Sequence, residues 1–211
     1  MTLLRASAIS KRFIRGSEQV HAVESVSLEL AAGEYVSLSG PSGSGKTTLV
    51  NLLAGWDEPD EGTIESELSE RWADVAIIPQ QLGLLEELSV RENIELPFRL
   101  GGVAGVADEL AATLGIEHLL DRRTYEVSLG EQQRAAVARA LVLEPSLVFA
   151  DEPTSHQDED HTLTIADQLS RAAHAGSCVV ITTHDPRILP TVDRRLRMKD
   201  GVLTEDAPSV G

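Results

Sequence analysis

GPSGSGKTT, residues 40–48, is the stretch on which the reading of this chain turns. It follows YVSLS, a half-apolar run that reads as a strand, and it leads into KTTLVNLLAG, where Leu49, Val50, Leu52 and Leu53 recur at helical spacing. Strand, glycine loop and helix is the context in which G-x-x-x-x-G-K-[ST] marks a phosphate-binding P-loop. The glycines let successive N–H groups face one concavity, and the positive end of the helix completes it. Lys46 then reaches the β- and γ-phosphates, and the Thr47 hydroxyl is offered to Mg²⁺. A nucleotide with Mg²⁺, taken as MgATP, is the expected ligand, and the binding loop is Gly40, Pro41, Ser42, Gly43, Ser44, Gly45, Lys46, Thr47 and Thr48.

The rest of the chain must supply a core and the remaining chemistry. Its 211 residues suffice for one sizeable core with small appended subdomains. A net charge of −16 and a pI near 4.7 argue against a nucleic-acid or anionic-membrane surface. Because ATP is itself an anion, its site must rely on local donors. The single Cys178 lies in the apolar run CVVITT and has no internal disulfide partner, which fits a reducing, cytosolic setting. No apolar run approaches bilayer length, and the N-terminus lacks the apolar core of a signal peptide.

Along the chain, the first thirty or so residues alternate polar and apolar, as in VSLEL, and read as antiparallel strands. KRFIRGSEQVHAV between them is expected as a loop carrying Phe13. A weak edge strand in EGTIES and a buried strand, VAII, follow the P-loop helix. LSVRENIELPF and VADELAATLGIEHLL read as short helices separated by Pro97 and GGVAG, a helical insertion over about 81–128. EQQRAAVARALVLE reads as a helix stopped by Pro145. LVFAD and CVVIT are continuous apolar runs, the pattern of strands buried on both faces of a parallel sheet, with a helix around 162–173 between them. RLRMKDGVLTED reads as a hairpin turning at Asp200-Gly201. The expected fold is α/β: a P-loop core with a mainly parallel sheet, a small N-terminal antiparallel β-subdomain and a helical insertion. It forms one domain over 1–205, with a polar tail at 206–211.

LVFADEP places Asp151 and Glu152 at the C-terminal end of a buried strand, the edge at which open α/β sheets bind ligands. A P-loop enzyme needs one carboxylate for the Mg²⁺ shell and a second group for the attacking water; Asp151 suits the first and Glu152 the second. ITTHD ends the next strand with His184 at its tip, either a surface histidine or a contact to the γ-phosphate. The other histidines lack metal-ligand spacing. Ser128-x-x-Glu131 is a capping box at a helix start, and such a start is also an anion site.

Taken in order, these segments resemble the ATP-binding subunit of an ABC transporter over nearly the whole chain. GPSGSGKT is similar to the Walker A motif, IIPQ to the Q-loop through Gln80, and VSLGEQQRAAVARAL to the signature helix. LVFADEPTSHQD resembles Walker B running into the D-loop, and ITTHD the H-loop. QQLGLLEELSVRENIELP and EQQRAAVARAL look most like the macrolide-exporter and lipoprotein-release group. The resemblance implies two chains head to tail around two ATP molecules, a homodimer being favoured. Ser128, Gly130 and Glu131 would face the partner's ATP, and Phe13 would stack on adenine. Gln80 would link Mg²⁺ to the helical insertion, Glu152 would polarise water and His184 would hold the γ-phosphate. A transmembrane permease would hold the chain at the cytoplasmic membrane face; no nucleic-acid partner is expected.

Three departures stand out. Leu129 replaces a glycine of the usual signature, Gln157 replaces a leucine of the D-loop, and the segment from Gly62 to Gln80 is short, implying a trimmed β-subdomain. Two rival readings remain. One is an ABC module that regulates a membrane or cell-wall complex by ATP-gated binding. The other, a soluble ABC protein of translation or DNA repair, fits poorly with a single cassette and an acidic chain.

Overall fold

The computed structural model describes residues 1–16, 18–68, 72–155, 157–183 and 185–206, with the backbone alone at 15, 18 and 72. Two long strands, β1 (Thr2–Arg15) and β2 (Glu18–Ala31), pair antiparallel. Period-two patterning explains their wet and dry faces: Val26, Leu28 and Leu30 are buried while Ser25, Ser27 and Glu29 are exposed. KRFIRGSEQVHAV is therefore not a loop but the end of this hairpin, where Phe13 pairs with Val20 and Arg12 with His21. Phe13, Ile14, Val20 and Val23 are β-branched or aromatic, and Gly16 takes the left-handed φ of 66° that the turn requires. That local preference outweighs the charge of the surrounding residues.

The chain continues through β3 (Tyr35–Ser39), the P-loop, α1 (Lys46–Leu53), β4 (Glu61–Ser66) and β5 (Val75–Ile78). Next come α2 (Val90–Gly101), α3 (Asp108–Thr113) and α4 (Leu129–Leu141). It ends with β6 (Leu147–Asp151), α5 (Glu159–His174), β7 (Cys178–Thr182), β8 (Arg194–Lys199) and β9 (Val202–Asp206). One sheet has the order β2-β1-β4 and is antiparallel; the other has the order β5-β6-β7-β3-β8-β9 and is parallel except for β9.

The larger sheet divides two cores by alternation. Val36, Leu38, Leu147, Phe149, Cys178, Val180, Leu196 and Met198 pack toward the N-terminal sheet and α1. Tyr35, Ile78, Val148, Ala150, Val179 and Ile181 pack toward α4, α5 and the helices between β5 and β6. Cys178 is fully buried, and burial pushes its thiol up to about 12.

Several expected boundaries move. Pro97 lies inside α2 rather than ending it. The helix start is fixed by a complete Ser89–Glu92 capping box and by the Asn93 amide, which donates to the Leu85, Leu88 and Ser89 carbonyls; one missing proline N–H does not undo that. α3 stops at Thr113 because Gly115 turns left-handed, and Glu117–Leu119 forms a separate 3₁₀ turn. α4 ends at Leu141, ahead of Pro145, since a residue before proline is kept out of the helical region and Glu144 sits at φ 50°. β5 is a sheet edge, so only Ile78 of VAII is fully buried. Asp206 closes β9 instead of starting a tail, and 207–211 lie outside the described residues. Among the described residues, no helix is long and apolar enough to cross a membrane.

Candidate active site

Parallel pairing brings the chemistry-bearing segments to one edge. Leu38, Thr182 and Asp151 lie abreast on β3, β7 and β6, and Ala150 lies beside Ile78 on β5. The next residues of each strand leave the sheet together. They are Gly40 to Thr48 after β3, Glu152 after β6, Thr183 after β7 and Gln80 after β5. His184 lies outside the described residues.

The P-loop glycines are required by contact as well as by angle. A Cβ on Gly40 (φ 145°) would stand 2.1 Å from the Met198 carbonyl oxygen. One on Gly45 (φ 103°) would stand 1.9 Å from the Ala22 carbonyl oxygen. The loop is thus wedged between β2 and β8, and the Asp200-Gly201 turn props it, the Gly201 N–H donating to the Ser44 carbonyl at 3.1 Å. Both turn residues have positive φ, 49° and 81°, as the expected hairpin requires. Lys46 heads α1 and donates its Nζ to the Gly40 carbonyl at 2.7 Å and the Pro41 carbonyl at 3.1 Å. Pro41, Ser42, Gly43 and Thr47 are exposed, so the concavity opens to solvent.

Asp151 and Glu152 are half-buried at the tip of β6. The Thr182 hydroxyl donates to Asp151 Oδ1 and accepts from the Glu152 N–H at 3.1 Å. Glu152 also donates that N–H to the Thr182 carbonyl at 3.1 Å, and its φ is 48°. Beyond β7, the Thr183 hydroxyl accepts from the Asp185 N–H, and Arg187 clasps Asp185, whose carboxyl it holds below the usual range. Arg187 also reaches the Thr162 hydroxyl of α5, so the segment after β7 is fastened to the core.

The start of α4 carries Ser128, Gly130 and Glu131. Ser128 accepts from the Glu131 N–H at 3.3 Å, and Glu131 accepts from the Ser128 N–H at 2.7 Å and hydroxyl at 2.8 Å, the capping box expected from the sequence. Burial alone would raise the Glu131 carboxyl, but the Ser128 donors and the Arg134 charge outweigh it and hold it below its usual range. Leu129 remains 48 % exposed. Gln157 ties this helix start to the segment following β6: its amide donates to the Gly130 carbonyl at 2.9 Å and accepts from Arg134 Nη1 at 2.9 Å. Gln80 is exposed and borders a groove of about 410 Å³ shared with Leu129, Gln132 and Gln133.

Phe13 is set apart on the N-terminal hairpin, 45 % exposed. Lys11 lies 5.8 Å from its ring centroid and is anchored by Asp57 at 2.7 Å and by the Glu58 carbonyl at 2.7 Å. β2 of the same hairpin approaches the P-loop, the Ala22 carbonyl lying where a Cβ on Gly45 would stand. Sequence reasoning passed over Thr182, Lys11 and Gly201 as supports of the site. Thr182 carried a signal, a hydroxyl at the end of an otherwise apolar run, and the Asp200-Gly201 turn marked Gly201 as a hairpin residue but not as a prop of the loop.

The donor set suits MgATP: a backbone cradle and Lys46 for phosphate, and the hard oxygens of Thr47, Asp151 and Gln80 for Mg²⁺. Comparison with known proteins points the same way. A family model described as ABC transporter matches residues 23–155. The uncharacterized ABC transporter ATP-binding protein YvcR of Bacillus subtilis is 38 % identical over 221 residues, covering 95 % of this chain and 85 % of that one. The lipoprotein-releasing system ATP-binding protein LolD of Chromohalobacter salexigens is 36 % identical over 225 residues, covering 97 % and 94 %. The dimeric structure of MJ0796, a bacterial ABC transporter cassette, superposes with a TM-score of 0.86 at 28 % identity over 96 % and 98 % of the two chains. A post-hydrolysis structure of that cassette with ADP and Pi gives 0.84 at 28 % identity over the same shares.

Proposed function

Since the chain belongs to the ABC transporter family of ATP-binding cassettes and is an ATPase, we propose that it energises a separate transmembrane permease of the exporter or lipoprotein-release type. The observation that carries this reading is the convergence of the P-loop, Asp151 and Glu152 on neighbouring tips of one parallel sheet. The likeness to a lipoprotein-releasing ATP-binding protein favours the exporter type.

In the proposed cycle, Lys46 exchanges the Gly40 and Pro41 carbonyls for the β- and γ-phosphates, while the P-loop N–H groups cradle the rest. Mg²⁺, arriving with the nucleotide, would neutralise phosphate charge; Thr47, Asp151 and Gln80 would hold it, partly through water. Glu152 orients the attacking water and takes its proton, and His184 steadies the γ-phosphate. Ser128, Gly130 and Glu131 face the ATP held by a second copy in a head-to-tail homodimer. Phe13 stacks on adenine. The permease holds the pair at the cytoplasmic face of the membrane.

Glu152→Gln tests the chemistry: phosphate release is expected to fall by about 100-fold or more while ATP binding persists. Tagged Glu152→Gln, isolated with MgATP from detergent-solubilised native membranes, tests the partner. A stoichiometric polytopic membrane protein is expected. Recovery from the soluble fraction alone would overturn the permease assignment.

A further inference from the structure

Thr182 is 3 % exposed at the end of β7, a strand buried along its whole length. A hydroxyl withdrawn from water is destabilising unless it is bonded, and a valine would fill the same volume without that penalty. Here the hydroxyl is used twice: its proton goes to Asp151 Oδ1, and its oxygen accepts the Glu152 N–H at 3.1 Å. The carbonyl of the same threonine accepts that N–H as well, again at 3.1 Å. Glu152 meanwhile occupies the left-handed backbone region at φ 48°, which strains a residue with a Cβ and needs surroundings that enforce it. The pairing of β6 with β7 sets Asp151 directly opposite Thr182, so one side chain touches both consecutive acidic residues.

We propose that Thr182 is the positioning residue of this site: its hydroxyl fixes the rotamer of Asp151 and the backbone turn that aims Glu152. Resting on the roles given above to Asp151 and Glu152, the assignment adds the device that divides their labour. Asp151 has one oxygen committed to the protein, and its carboxylate cannot swing away from the position proposed for the metal. Glu152, at its left-handed φ, leaves the direction of β6 directly after Asp151. Gly40 leaves β3 two residues beyond Leu38, which is itself abreast of Thr182, so the hydroxyl lies on the rung directly beneath the P-loop.

Thr182→Val removes the hydroxyl and keeps the β-branched shape; Thr182→Ser restores it. With Thr182→Val the rate of ATP hydrolysis is expected to fall about 10- to 100-fold, the usual effect of losing a partner behind a metal-binding carboxylate. A second readout uses fluorescent-nucleotide binding to the unreacted protein: the gain in affinity brought by Mg²⁺ should shrink in Thr182→Val and return in Thr182→Ser. A purely structural threonine would lower the melting temperature and leave that Mg²⁺ gain intact. Turnover within about twofold of the parent, together with an unchanged Mg²⁺ gain, would overturn the assignment. If the parent chain hydrolyses no ATP, or Glu152→Gln is as active as the parent, the catalytic reading fails instead, and the binding readout still decides the role of Thr182.

Discussion

Leu129 is the first residue of α4, and its half-exposed side chain borders the Gln80 groove beside Ser128 and Gly130. Its Cβ and branched tip stand where backbone must come close to phosphate if a second copy docks there. Leu129→Gly is therefore expected to raise steady-state ATP turnover by a few-fold, read as phosphate release at saturating ATP; unchanged turnover would show that the side chain is no obstacle. The stability cost should stay below about 1 kcal/mol, the helix propensity difference. Ser128 has a different worth. Losing its cap should cost about 1 kcal/mol, seen as a lower melting temperature for Ser128→Ala. Because Glu131 is held below its ordinary carboxylate range, its share of that stability is complete above its unfolded pKa. It drains as the pH falls through the folded value. The gap between parent and Ser128→Ala should thus be widest near neutrality and narrow in acid.

Gln157 joins the segment after β6 to α4 by two bonds. Gln157→Leu would leave the Arg134 guanidinium, 6 % exposed, without its partner, an unmet polar group costing about 1–3 kcal/mol. Thermal unfolding should shift down by about 2–4 °C per kcal/mol for a chain of this size. The loss should also loosen the start of α4 relative to the segment after β6, seen as faster amide exchange at Gly130 and Glu131. The P-loop, the two buried strands and the capping box were legible in the sequence because each depends on neighbours along the chain. The antiparallel pairing of β1 and β2 was legible but its extent was not, because the hairpin's tip is charged and the ion pair of Lys11 with Asp57 that makes such a strand tolerable joins residues far apart in sequence. Thr182 shows the same limit. Its opposite number, Asp151, is adjacent only once β6 and β7 pair, so a threonine that read as strand filler acquires its chemistry from topology.

At the scale of the whole molecule the dominant quantity is charge. Two copies at −16 each repel, so closure of a dimer should respond to salt opposite to most phosphate contacts. With Glu152→Gln and MgATP, light scattering should show a monomer-to-dimer shift that grows as ionic strength rises to about 0.1 M, where the screening length is about 10 Å. A dimer fraction that falls over that range would mean exposed opposite charges, rather than buried phosphate contacts, hold the pair. The walling-in of Cys178 bears on how such motion can be watched. With the chain's one thiol in a central strand and pushed up to about 12, the native surface is blank to maleimide reagents. Leu163→Cys, on an exposed position of α5, would accept a spin label or dye with no background to remove. One mutation would give each copy one reporter, and the distance between two of them would follow opening and closing in solution.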